Sequence, residues 1–385
     1  MAEAVGAELG VTRLANVTGM DNVGVPVWVA IRPLSYSLTV SQGKGLTNDL
    51  AKVSALMESI ELAHAEQFES LGPYKSFAAY INDNRYMPPH QLPLRAGVEL
   101  ADVSDVNWIQ CRTLDGCTER YIPSDLFRLD FRFGDNKGPF LGTSNGLASG
   151  NSFEEAVLHG VCEVIERDQV SFSIVGNSLG GDSFNTELDV HLLADPDLQW
   201  LCEKIETAGL LLRVWYATTN IDIPTFIALV HGPDQESLYP IRAKGFGSHP
   251  LKKIALCRAI TEALQSRLTY ISGSRDDRLW KSYSESRSRN VSDEFITPSS
   301  VSLTNFNNVP EYQGEIDVRT MLDWVLEKNK NAGLEDALIV DLTRNDFKLP
   351  VVWVFIPELE HYGLQPDYIP GRRMSEFIKK IPVLQ

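Results

Sequence analysis

The stretch Gly142-Thr-Ser-Asn-Gly-Leu-Ala-Ser-Gly150-Asn151-Ser152-Phe-Glu-Glu155-Ala-Val-Leu-His159-Gly-Val-Cys-Glu163-Val-Ile-Glu166-Arg167-Asp168 sets the frame for the whole chain. Its first nine residues make a small-residue loop. Asn151 and Ser152 are good N-caps, and Glu154 and Glu155 then fall in a first turn, where the positive end of a helix favours acids. The pattern predicts a long helix running to about Ser173. Glu155, His159, Glu163 and Glu166 place several acids on one face, Glu155 and Glu166 being only roughly 20° apart at about 100° per residue.

Upstream, the run from Asp49 to about Glu69 lacks Pro and Gly and repeats Val53, Leu56, Met57, Ile60 and Ala63 at helical spacing, which predicts a second helix. Ser54, Glu58 and Glu61 stand at i, i+4 and i+7 and share one face of it. Before it, residues 14 to 45 read as strands and turns, with Val25, Val27 and Val29 alternating and Gly43-Lys44-Gly45 as a turn. Residues 72 to 140 are broken by Pro88, Pro89, Pro93 and Pro123, with strand-like pieces at Trp108 to Arg112 and Phe127 to Phe133. A third helix, Lys252 to Ile271, carries Arg258, Glu262 and Gln265, again at i, i+4 and i+7, with Arg267 nearby.

Two segments of the second half resemble each other. In Leu201 to Val230 a helix ends at Ala208-Gly209, a strand follows, then Asp222-Ile223-Pro224 and a second strand. In Val325 to Ile356 the order recurs around Ala332-Gly333, Asp346 and Leu349-Pro350. The expectation is an α+β fold of mixed sheets packed with helices, with internal pseudo-symmetry. Residues 1–12 read as a tail and 13–385 as a single domain. The Ser/Arg/Asn-rich stretch 272–308 reads as a long connection, either a mobile functional loop or disorder.

Composition narrows the class. Of 385 residues, 43% are hydrophobic and 22% charged, which excludes a wholly disordered chain. The net charge of -16, with no dense Lys/Arg stripe, argues against nucleic acid as a partner. Cysteines 111, 117, 162, 202 and 257 form no Cys-x-x-Cys pair, so the setting is read as reduced and cytoplasmic. They are expected to be core residues, with Cys162 turned away from the Glu155/Glu166 face. No signal peptide opens the chain and no apolar run approaches the roughly 20 residues that span a bilayer, so no membrane is expected.

The acidic faces admit two readings. Charged helix faces are usually just solvated. Here the acids lack regular Lys partners at i+4, and uncompensated carboxylates on one face attract cations. Magnesium takes oxygen ligands and commonly bridges carboxylates to substrate phosphates, so such helices could hold ATP through the metal. The chain has no Gly-x-x-x-x-Gly-Lys-Ser/Thr loop, and Gly245-Phe-Gly247-Ser-His249 reads as a turn that needs no ligand.

At these residues the sequence resembles the YcaO family. The resemblance lies in Gly43-Lys-Gly45 leading to Ser54-Ala-Leu-Met-Glu58-Ser-Ile-Glu61, then Gly146 to Asn151 through Glu155 to Glu163-Val-Ile-Glu166-Arg167-Asp168. It continues in Gly245-Phe-Gly-Ser-His249 leading to Thr261-Glu-Ala-Leu-Gln265-Ser-Arg267, so it runs in the family's order over about residues 40 to 270. It implies a YcaO-type catalytic domain with ATP and Mg2+ as cofactors. Glu58, Glu61, Glu155, Glu163 and Glu166 would meet the metal; Ser54, Asn151, Arg167, Glu262, Gln265 and Arg267 would meet the nucleotide. The chain departs from the family at Met57 and Leu62, where the family often has Arg before or after the Glu pair of the first motif.

The implied chemistry is O-phosphorylation of a peptide backbone amide during post-translational peptide modification, giving a thioamide or an azoline or amidine ring. Gly10 to Gly19 and Gly24 to Pro33 resemble stand-alone members, including those that act with TfuA proteins. The ending Ile381-Pro-Val-Leu-Gln385 lacks the Pro-x-Pro-x-Pro of many azoline formers. The resemblance therefore implies a thioamidase or cyclodehydratase acting on a peptide or protein substrate, with a TfuA-like or leader-peptide-binding partner; a homodimer stays open. Alternatives are an ATP-binding accessory protein and a carboxylate-metal hydrolase. No catalytic base is assigned; His64, His159 and His249 are open, His159 being the one on the acidic face.

Overall fold

The computed structural model describes residues 2–67, 74–76, 80, 83–99, 105–132, 139–140, 142–179, 185–217, 219–232, 242–275, 303–360 and 368–381. The expected loop falls outside them between 276 and 302, as do the helix end expected at Glu69 and the ending after Ile381. Among the described residues the chain forms seven helices and three antiparallel sheets, an α+β fold. No described helix is long and apolar enough to cross a membrane.

The contacts group the chain into two units, one of residues 1–60, 172–313 and 383–385, the other of 61–171 and 314–382. The first unit opens with α1 (Ala2–Glu8), inside the expected tail, which buries Val5. A three-stranded sheet follows, β1 (Arg13–Asn16), β2 (Val27–Ile31) and β3 (Val40–Lys44), in that order. Val27 pairs with Lys44 and Ile31 with Val40, so Val27 and Val29 fall on one face, where they pack with Val17, Val40 and Leu268. Helix α2 (Asn48–Gln67) leaves this sheet and continues past Ile60 into the second unit's residues.

The other sheet of this unit has the order β11 (Arg242–Ser248), β10 (Thr225–His231), β9 (Leu211–Ala217), β8 (Asn185–Glu187). Phe226, Ala228 and Val230 alternate along β10 and share a core with Leu198, Leu201 and Ile205 of α4 (Pro196–Thr207). Ala255, Leu256, Ala259, Ile260, Ala263 and Leu264 of α5 (Lys252–Ser272) join the same core.

In the second unit the path is β4 (Tyr74–Ser76), β5 (Asp105–Arg112), β12 (Leu338–Asp341), β13 (Val351–Phe355), β7 (Leu147–Ser149), with β6 (Glu119–Pro123) also on β5. The strand expected at Phe127 to Phe133 is absent over its described part. A 3-10 turn at Ser124–Leu126, closed by Phe127 N–H on Ser124 O (3.0 Å), diverts the backbone there. Phe127 is buried all the same, edge-on to Trp353 at 4.9 Å. The helices of this unit are α3 (Phe153–Ser178, as far as Ser171), α6 (Val318–Asn331) and α7 (Arg372–Lys380).

The expected repeat is present as one helix–strand–strand module in each unit. Asp195 caps α4 by accepting from Asp197 and Leu198 N–H; Asp317 caps α6 through Arg319 and Thr320 N–H. Both helices end on a left-handed glycine, Gly209 (φ 73°) or Gly333 (φ 78°). Each glycine is followed by a Leu whose N–H reaches back to a helix carbonyl at 3.1 Å. Each hairpin connection also holds a residue at positive φ two positions before a proline, Asp222 and Lys348.

Candidate functional site

Three strands lead into the three long helices through connections of equal length. From Lys44 to Asn48, from Ser149 to Phe153 and from Ser248 to Lys252, three residues intervene. Counting from each helix start aligns the candidate residues. Glu58, Glu163 and Glu262 all occupy the eleventh position, Glu61, Glu166 and Gln265 the fourteenth, and Ser54, His159 and Arg258 the seventh. At about 100° per residue these three positions fall within roughly 60° of one another on the helix surface.

The neighbouring stripe is made of small residues because the strand passes directly over it. Ala51 and Ala55, Ala156 and Gly160, and Ala255 and Ala259 occupy the fourth and eighth positions. A Cβ on Gly43 would lie 2.0 Å from Ala55 N and 2.2 Å from Ala51 O; one on Gly247 would lie 2.1 Å from Ala255 O. Gly45 and Gly150, each first in its connection, approach Ala51 N and Ala156 N in the same way, at 2.7 and 2.5 Å. The glycines read as turn formers at 43 and 245–247 are thus largely strand residues, and their role is close approach to a helix.

In the first unit this approach lets glutamates reach strand backbone. Gln42 N–H donates to Glu58 Oε2 at 2.8 Å, and at the equivalent place Phe246 N–H donates to Glu262 Oε1 at 3.3 Å. Lys44 forms an ion pair with Glu262. Gln265 Nε2 donates to Gln42 O at 2.9 Å, and Thr269 hydroxyl donates to the Gln42 side chain. Arg267 is held by Asp21 through two bonds of 2.8 and 3.3 Å, both side chains nearly buried. Burial pushes the Glu58 carboxyl above its usual range, opposed by the Gln42 N–H and by the charges of Arg275 and Lys44.

In the second unit Ser149, the last residue of β7, donates to Glu61 Oε1 at 2.5 Å. Asn151 binds Glu155 through both its backbone N–H (3.0 Å) and its side-chain amide, and Ser152 Oγ accepts from Glu155 N–H at 3.1 Å, closing the N-terminus of α3. Glu163 and Arg167 are half-buried; Glu166 is buried. The structure therefore groups Ser54, Glu58, Glu262, Gln265 and Arg267 in the first unit and Glu61, Asn151, Glu155, Glu163, Glu166 and Arg167 in the second.

Of the three histidines, His64 is buried edge-on to Phe347 and His159 is half-buried. His249 accepts the Leu251 N–H on Nδ1 at 3.0 Å, so its ring proton sits on Nε2. Burial and the nearby Arg258 charge push its pKa down to about 4, leaving it neutral and a poor base at ordinary pH. Cys162 does not turn away from the acidic face: seven residues after Glu155, it lies about 20° from it around α3, buried. Gln42, Lys44, Ser149 and Asp21 escaped the sequence reading. The equal strand-to-helix spacing, visible in the sequence once the strands are known, is the signal that would have pointed to the first three.

The donor set fits a hard divalent cation. Carboxylates stand at the eleventh and fourteenth positions of both α2 and α3, and burial at Glu58 favours a cationic partner. Among the described residues no three of His, Cys, Asp and Glu converge as a ready-made cage. Mg2+ does not require one, being commonly held by one or two carboxylates together with phosphate oxygens.

The family model described as YcaO cyclodehydratase, ATP- and Mg2+-binding, matches residues 42–360. An uncharacterised protein of Methanothermobacter thermautotrophicus is 32% identical over 384 residues, covering 96% of this chain and 94% of its own. An uncharacterised protein in the tfuA 3' region of Rhizobium leguminosarum bv. trifolii is 29% identical, with 92% and 84% covered. Among solved structures, YcaO from Methanopyrus kandleri bound with AMPPCP and Mg2+ superposes with a TM-score of 0.72 at 22% identity, over 96% of this chain and 93% of that one.

Proposed function

The chain belongs to the YcaO family of ATP- and Mg2+-binding cyclodehydratases, and from that premise we propose that it activates a peptide backbone amide, giving a thioamide or an azoline or amidine ring. The observation that carries this reading is the doubled acid pair, Glu58/Glu61 on α2 and Glu163/Glu166 on α3, set at identical positions behind identical strand-to-helix connections.

In this reading Glu58, Glu61, Glu155, Glu163 and Glu166 hold Mg2+, while Ser54, Asn151 and Arg167 meet the nucleotide. Arg167 contributes a planar, permanently charged donor suited to phosphate oxygens. Glu262, Gln265 and Arg267 complete the nucleotide contacts in this reading; Glu262 and Gln265 also fix β3, Glu262 through Lys44 and Gln265 through Gln42, whose N–H orients Glu58, while Arg267 is held by Asp21. When bound, Mg2+ supplies neutralisation of phosphate charge during phosphoryl transfer. A sulfur or oxygen nucleophile, sulfide or a Cys, Ser or Thr side chain, adds to the amide carbon, or an amine nitrogen does so where an amidine forms. The carbonyl oxygen takes the γ-phosphoryl group of ATP, releasing ADP. Phosphate then leaves with that oxygen, and the C=S or C=N bond forms. An amide oxygen is a poor leaving group and phosphate is a good one, which is what ATP adds. The tfuA-region relative supports a TfuA-like partner and hence thioamidation.

The test is incubation with ATP, Mg2+, sulfide, a cognate peptide and the partner. Exchange of oxygen for sulfur in the peptide mass, with stoichiometric phosphate, supports thioamidation; loss of water supports ring closure. ATP turnover by Glu166→Ala equal to that of the unaltered protein would falsify the site assignment.

A further inference from the structure

We propose that Arg373, on α7, is a positioning residue for the Glu163, Glu166 and Arg167 face of α3, which it holds in rotation by gripping Asp168 on the helix's rear side. The inference rests on the site reading above. Asp168 is fully buried, and its Oδ1 accepts from Arg373 Nη1 at 2.7 Å and from Glu360 N–H at 2.9 Å. Its second oxygen, Oδ2, is enclosed and receives no donor. Two residues after Glu166, Asp168 stands about 200° around the axis from it, on the opposite side of the helix.

The grip is itself braced. Glu360, buried at 3% exposure, takes the Tyr368 hydroxyl, Gly371 N–H at 3.1 Å and Met374 N–H at 3.3 Å, and so caps the start of α7 in place of a side chain at Gly371. A Cβ on Gly371 would lie 2.7 Å from Glu360 Oε1, so a side chain there would press on the capping carboxylate. Asp168 thus reaches α7 twice, directly through Arg373 and through the Glu360 backbone that carries the cap.

The charge count favours positioning over mere stability. One guanidinium serves two buried carboxylates, an arrangement whose desolvation cost an apolar packing of the same volume would avoid. What it provides is direction. A carboxylate at the helix surface stands about 6 Å from the axis, so a 10° turn of α3 would move Glu166 by about 1 Å. Misplacement of that size in a phosphate-binding site is enough to cost orders of magnitude.

The experiment is calorimetric titration of the full chain with AMPPCP at fixed Mg2+, beside thermal unfolding, for the unaltered protein, Arg373→Met, Arg373→Lys and Glu166→Gln. Arg373→Met is expected to weaken AMPPCP binding at least tenfold and Arg373→Lys to restore it to within about threefold. Loss of folded protein alone lowers the number of sites and leaves the affinity of those that remain, so the two effects separate. Affinity unchanged in Arg373→Met while Glu166→Gln loses it overturns the inference and leaves the site reading standing. Affinity unchanged in Glu166→Gln removes the site reading itself. If Arg373→Met does not fold, Arg373→Gln takes its place, and affinity in it equal to that of the unaltered protein, against a weakened Glu166→Gln, overturns the inference equally.

Discussion

Helices α2 and α5 sit on their strands in the same way and do different things there. Both lie under a strand whose glycine leaves no room for a side chain, Gly43 over Ala51 and Ala55, Gly247 over Ala255 and Ala259. Both send an eleventh-position glutamate to the strand backbone, Glu58 to Gln42 and Glu262 to Phe246. On α2 the fourteenth residue is another acid, Glu61; on α5 it is the neutral Gln265, and Lys44 balances Glu262. The seat is shared, and charge at two positions separates a pair suited to a cation from a pair suited to holding protein. Identity of backbone frame therefore does not carry identity of role.

The severest way to break the comparison is at the seat. Gly43→Ala or Gly247→Ala drives a Cβ into helix backbone, which cannot rotate aside, and either change should cost more than about 3 kcal/mol or abolish folding. Gly232→Ala, where a Cβ meets nothing within 4 Å, should stay within about 0.5 kcal/mol. Denaturant unfolding of the three variants measures this; a folded Gly43→Ala of unaltered stability would mean the seat is not as tight as described.

A smaller effect isolates the ion pair that α5 makes with the segment between β1 and β2. Arg267→Met leaves Asp21 nearly buried without its partner and should cost about 3 kcal/mol, with Asp21→Asn/Arg267→Met recovering part of it. Equal stability of the single and double variants would show that an unpartnered Asp21 carboxylate carries no penalty there.

The smallest effect concerns the connections. Two begin with glycine, and the third begins with His249, which accepts the Leu251 N–H. Its pKa falls from 6.5 to about 4 on folding, so below pH 6.5 the unfolded chain takes up a proton that the folded chain refuses. Stability carried by this group is complete above pH 6.5 and is lost as pH falls toward 4, by about 2 kcal/mol at pH 5. His249→Asn, which offers an oxygen in place of Nδ1, should flatten that part of the pH dependence. Melting curves at pH 7 and 5 that shift equally in both proteins would count against it.

The long helices were legible because their apolar residues recur at helical spacing. Asn48 opens α2 one residue before the expected start, Lys252–Ser272 lies within a residue of the expected bounds, and α3 runs on to Ser178 rather than Ser173. The helix–strand–strand modules were legible because Gly209 and Gly333 terminate helices in a conformation that glycine adopts without strain. Phe127 to Phe133 misled because alternating burial does not require a strand; Phe127 enters the core from a 3-10 turn. Of the site, the helix faces could be read, since i, i+4 and i+7 are local relations. Asp21 with Arg267 and Asp168 with Arg373 could not, because 246 and 205 residues separate the partners and no periodicity links them.

The chain passes between its two units after Ile60, Ser171, Gln313 and Pro382, the first two times in the middle of a helix. Neither unit is therefore a continuous piece that a ribosome could finish before starting the next. When Ser171 has been made, the acidic face of α3 exists, but about 140 residues belonging to the other unit must follow before the remainder of its own unit begins. At about 5–20 residues per second that is a wait of roughly 7–30 s, with Asp168 lacking Arg373 throughout. The interval is a window in which a nascent chain offers α3 to chaperones or to misassembly, and its length is set by the order of segments along the chain.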